Sequence, residues 1–159
     1  MKLYAYNKPA GEVAAEAEIE GVKVYPASEL DKDARGLVIY TDDAACVETI
    51  KAKAAAGEME FHVDTDGRLN TPIIQAIRAG VTLADGSTSP SCRISWTEAN
   101  AFVISIKPNA KPLLDEICKA FDLKVTLIKK FRVDNLKIKK VALGEFEEYS
   151  DEETAAFLA

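Results

Sequence analysis

The usual carriers of metal and nucleophilic chemistry are sparse in this chain: one histidine, His62, and three cysteines, Cys46, Cys92 and Cys118, all far apart. With no Cys-x-x-Cys pair and no second imidazole, they cannot assemble a zinc set of ordinary spacing, and no metal is expected. Each cysteine reads instead as a small buried apolar residue, reduced as in a cytoplasmic protein. Carboxylates and lysines are the side chains left for chemistry. Asp31 lies in the polar loop Glu29-Leu30-Asp31-Lys32-Asp33, just ahead of the apolar run Gly36-Leu37-Val38-Ile39-Tyr40-Thr41. The ordinary role of an aspartate there is that of a loop or capping carboxylate. Residues 107–140 hold 10 Lys and Arg against 4 Asp and Glu, a local surface able to contact phosphate.

That basic stretch stands out because the whole is acidic. Twenty Lys and Arg against 26 Asp and Glu leave a formal net charge of -6 over 159 residues. Such a balance argues against a general nucleic-acid coat or a membrane-surface binder. No apolar run approaches the length of a membrane span, and Met1-Lys2-Leu3-Tyr4 leads straight into strand-like sequence rather than a signal peptide.

The elements that must position these groups follow from periodicity. Residues 2–6 alternate as a strand and stop at Asn7-Lys8-Pro9-Ala10-Gly11, where Pro and Gly favour a turn. Val22 and Val24 hint at a strand, and residues 36–41 read as a buried one. A helix is expected over about 44–56, stopped by Gly57, and another from Thr71 as N-cap and Pro72 as first helical residue, ending before Gly80. Between and after them come a strand over 58–63, a strand at 81–83, and a hairpin turning at Glu98-Ala99-Asn100. Leu113, Leu114, Ile117, Cys118 and Phe121 recur at helical spacing, Val125 and Leu127 alternate, residues 138–148 suggest a last strand pair, and Ser150-Asp151-Glu152-Glu153 is a capping box opening a terminal helix. The order predicts an α+β fold with a largely antiparallel mixed sheet and a few helices, in a single domain over 1–159.

The order of five motifs adds a resemblance. Asn7-Lys8-Pro9-Ala10-Gly11, the segment from Leu30-Asp31 through Gly36 to Asp43, Glu60-Phe61-His62-Val63, the stretch from Ala79-Gly80-Val81-Thr82-Leu83-Ala84-Asp85-Gly86 to Pro90, and Leu143-Gly144-Glu145-Phe146 with Ser150 to Glu153 together resemble the RsuA/RluB-type family of RNA pseudouridine synthases. The resemblance covers nearly the whole chain. It implies a pseudouridine-synthase-like catalytic domain without the small RNA-binding domain that many members carry in front, since Asn7 follows the start so closely.

It further implies that Asp31 is the catalytic aspartate, working without metal or organic cofactor. The reaction breaks the N-glycosidic bond of a flipped-out uridine and rejoins the base through carbon, with Asp31 either as nucleophile at the anomeric carbon or as base on the sugar. Phe61 would stack on the uracil where the family usually has Tyr. Lys8 and Lys130 are expected at the rim of the site, and Lys129 with Lys130 falls where the family has a Leu-x-Arg segment. Ribosomal RNA is the implied partner. The chain also departs from the pattern: Glu29 stands where Arg usually precedes the Leu-Asp pair, and in the segment Asn109 to Ile117 Asp115 and Glu116 replace two arginines. A carboxylate at 29 disfavours ionisation of Asp31 and repels RNA, so the alternative is a catalytically impaired RNA- or ribosome-binding module on the same fold.

Overall fold

A computed structural model of the protein describes residues 1–107 and 111–159. They fall into two compact units, unit 1 comprising Met1–Gly57 with Lys130–Ala159 and unit 2 comprising Glu58–Lys129. The fold is α+β, and its described strand pairs are antiparallel.

Unit 1 is organised by β1 (Leu3–Lys8) and β4 (Arg35–Thr41), which pair from Leu3 opposite Thr41 to Lys8 opposite Gly36. The run Leu37 to Tyr40 is buried on both faces, as a continuous apolar strand requires. Residues opposite each other share a face, so Tyr4, Tyr6, Val38 and Tyr40 stand together and form a cluster with Val24. Tyr6 stacks on Phe146 at 4.5 Å and Tyr40 meets Phe146 edge-on at 4.9 Å. The hairpin β2 (Ala17–Ile19) and β3 (Val22–Pro26) adds Ile19 and Ala17 to this cluster. The expected helix at 44–56 begins as a 3-10 turn (Ala44–Cys46) capped by Asp43 and continues as α1 (Val47–Ala56).

Unit 2 is built on β5 (Met59–Thr65), which pairs with β7 (Ala101–Ile106), which in turn pairs with β6 (Arg93–Glu98). Strand β5 alternates between buried and half-buried residues, with Met59, Phe61 and Val63 inward and Glu60, His62 and Asp64 outward. Helix α2 (Thr71–Ala79) starts one residue earlier than its sequence suggests. Asn70 is the N-cap, its Oδ1 accepting the Ile73 N–H at 2.9 Å, because its amide oxygen reaches the free N–H while Thr71 already has helical backbone. The strand expected at 81–83 is no strand but one bridge, Thr82 opposite Thr88, in a hairpin closed by the Ser89 hydroxyl on the Val81 N–H. Helix α3 (Lys111–Lys119) carries Leu114, Ile117 and Cys118 inward.

Strand β8 (Val125–Val133) contains the division between the units, and its end pairs with β9 (Leu136–Lys137) in unit 1. The last strand pair expected over 138–148 does not form: only β10 (Phe146–Glu148) lies there, and it pairs with β1. Helix α4 (Asp151–Leu158) carries the capping box at Ser150 and Glu153.

Candidate active site

The loop from Ser28 to Ala34 is fastened at its base by one backbone bond and one side-chain bond. Ala27 donates to the Ile39 carbonyl at 2.7 Å, and the Ile39 N–H donates to the Ser28 hydroxyl at 2.8 Å. Leu30 packs half-buried against the aromatic cluster of unit 1, which turns the neighbouring Asp31 outward. Glu29, Asp31, Lys32 and Asp33 are all exposed. A short turn, the Ala34 N–H on the Asp31 carbonyl at 3.1 Å, leads the chain into β4.

The segment Asn7 to Gly11 assembles this loop rather than flanking it. Asn7 ties β1 to the chain near its other end, its Nδ2 donating to the Val141 carbonyl at 2.8 Å and its carbonyl accepting the Gly144 N–H at 2.7 Å. Lys8 was expected at a rim but is 0% exposed. Its ammonium donates to the carbonyls of Pro9, Glu12 and Lys32 at 2.8, 2.7 and 3.1 Å, which replace the water a buried charge must give up. Gly11, at φ +88°, donates to the same Lys32 carbonyl at 2.7 Å.

Lys130, also expected at the rim, is 2% exposed, and its Nζ donates to the Glu29 carbonyl at 2.9 Å. Its approach depends on Gly36, whose φ is +112° and where any Cβ would strike the Lys130 backbone. Burial lowers the pKa of both lysines. Lys130 falls to about 8 against the pull of Glu29 and Asp31, while Lys8 is held up in part by Glu12, Asp33 and Asp31. Asp31 acts on both buried cations, in each case more weakly than the other carboxylates named.

Unit 1 therefore brings together Asp31, Lys8, Lys130 and the backbone of Glu29, whereas Phe61 and Lys129 belong to unit 2. Phe61 is 3% exposed, paired opposite Ile104 on the inward face of β5. Lys129 is half-buried on β8; its charge, after burial itself and with Glu60 and Asp64 opposing, helps keep His62 below the ordinary imidazole range. Asp115 is half-buried and Glu116 exposed on α3, while Asn109 and Ala110 of the same motif lie outside the described residues. Sequence reasoning missed Ser28 and the carbonyl of Glu29. The one signal for the inward course of Lys130 is parity, since it stands two positions after the buried Ile128 on the same strand. Among the described residues no group of three or more metal-ligating side chains forms, and no helix is long and apolar enough to cross a membrane.

No family model matches the chain. It is 26% identical over 96% of its length to the dual-specificity RNA pseudouridine synthase RluF of Salmonella typhi, and it spans 56% of that protein. Over a shorter stretch, 43% of this chain and 36% of the relative, it is 35% identical to the ribosomal large subunit pseudouridine synthase E of Xanthomonas axonopodis pv. citri. Its fold matches a crystal structure of pseudouridylate synthase with a TM-score of 0.80, at 16% identity, covering 98% of this chain and 73% of that one.

Proposed function

Because the chain is a homologue of the RluF- and RluE-type RNA pseudouridine synthases, we propose that it isomerises uridine to pseudouridine in ribosomal RNA, with Asp31 as the catalytic carboxylate. The observation that carries this reading is an exposed aspartate, at the position the family motif assigns, on a loop whose backbone is gripped by two buried ammonium groups. A carboxylate presented this way has the freedom to meet the ribose of a flipped nucleotide. Phe61, 3% exposed in unit 2, and Lys129 of the same unit carry no part of this reading. The departures at Glu29, Asp115 and Glu116 lower RNA affinity, so binding is weak and its salt slope reflects only the phosphate contacts that remain.

The test is to map pseudouridine chemically in ribosomal RNA from cells with and without the gene, and in unmodified ribosomal transcripts incubated with the purified chain. A site that appears with wild type and is missing with Asp31→Asn supports the reading. Transcripts that bind the chain yet gain no pseudouridine would replace it with the binding module.

A further inference from the structure

Lys8 and Lys130 reach the Asp31 loop from different strands and take the same kind of acceptor. Lys8 gives its three hydrogens to three carbonyls, which a neutral amine with two hydrogens cannot do, and one of the three belongs to Lys32. Lys130 donates to the carbonyl of Glu29. These acceptors lie two residues before Asp31 and one after it, so both flanks of the aspartate are held through backbone. At 0% and 2% exposure, neither side chain has surface to offer a phosphate.

We propose that Lys8 and Lys130 are positioning residues for Asp31, clamping the backbone on either side of it, and that they are not RNA contacts. The inference rests on Asp31 being the catalytic group. Lys130 grips the carbonyl of Glu29 and not its side chain, so the clamp does not depend on the residue type at position 29. It also makes the site sensitive to pH. Glu29 and Asp31 act on the Lys130 ammonium, and Glu12, Asp33 and Asp31 on that of Lys8, but burial outweighs them. With Lys130 at about 8, its charge is lost in mildly alkaline solution.

The experiment uses the purified chain and an unmodified ribosomal RNA transcript. Lys130→Met should lower kcat by up to about 100-fold while KM and the salt slope of binding stay unchanged, the signature of a misplaced group rather than a lost contact. Lys130→Arg should restore most of the rate and shift the alkaline fall in kcat to higher pH, because a guanidinium keeps its proton. Without RNA, hydrogen exchange at the Gly11 and Ala34 amides, which donate to the Lys32 and Asp31 carbonyls, should quicken at least about tenfold in Lys8→Met, or in Lys8→Arg should the first variant not fold. A salt slope reduced by about one with kcat unchanged would make these lysines phosphate contacts and overturn the proposal, as would unaltered exchange at both amides. If wild type makes no pseudouridine, the assignment of Asp31 fails by itself, and the exchange measurement still decides the clamp.

Discussion

The two units bury different kinds of polar group. Among the described residues, the buried polar side chains of unit 2 are two hydroxyls, Thr65 and Ser89. Thr65 bonds the Gly67 carbonyl at 2.8 Å and Ser89 accepts the Val81 N–H at 2.9 Å, each closing a local turn. Unit 1 buries two lysines, and both respond to one exposed loop. A neutral hydroxyl that closes a turn costs little to bury, whereas a charge costs several kcal/mol unless its lost water is replaced. Both burials hold the backbone of one loop, on either side of Asp31. The basic segment 107–140 is itself divided, five of its ten Lys and Arg falling in each unit.

The strongest way to break the contrast is to remove one carboxylate from each region. Asp31→Asn should reduce pseudouridine formation by roughly 10^3-fold or more, while Asp115→Asn on α3 should change it less than about threefold, both read as initial rates on one transcript. Equal losses would erase the distinction.

Glycine supplies a second comparison. Gly36→Ala forces a Cβ into the Lys130 backbone at a φ of +112° and should destabilise the protein by about 3 kcal/mol or more. Gly86→Ala in unit 2, also at positive φ but with open space around it, should cost only about 1 kcal/mol in urea denaturation. The larger loss at Gly36 should come with faster exchange around Lys32.

The buried charge of Lys130 has a signature in pH. Its folded pKa of about 8 lies below its unfolded value of 10.5, so between these the unfolded chain binds more protons and folding stability rises with pH. Wild type should therefore gain on Lys130→Met by up to about 1.4 kcal/mol per pH unit across that window, and by nothing below it. A flat difference between the two would mean that the ammonium is better solvated than its burial implies.

The smallest effect belongs to a cap outside the site. Ser150 accepts the Glu153 N–H at 3.1 Å while the Glu153 carboxylate accepts the Ser150 N–H at 3.0 Å, so Ser150→Ala should cost about 1 kcal/mol and leave the rate per folded molecule unchanged. A rate that falls with it would tie α4 to the Asp31 loop.

What the amino-acid order determined by itself is local. The apolar run at 36–41 makes β4, the Ser150 box makes the start of α4, and the hairpin at 98–100 turns where Ala99 and Asn100 stand, because each depends on neighbours within a few residues. The motif order placed Asp31 in a loop before a core strand, and the structure has it there, exposed. It did not reveal the courses of Lys8 and Lys130. In a sequence a lysine on a strand reads as a solvated face, and only tertiary packing decides whether enough carbonyls converge to replace its water. The acceptors of Lys8 come from Pro9, Glu12 and Lys32, and that of Lys130 lies 101 residues away at Glu29. Phe61 is the opposite case, for Met59, Phe61 and Val63 alternate with Glu60, His62 and Asp64, and that pattern alone marks its face of β5 as the buried one. Local pattern extends over a few residues; the burial of a charge depends on chain that is distant in sequence, and that was settled by the fold.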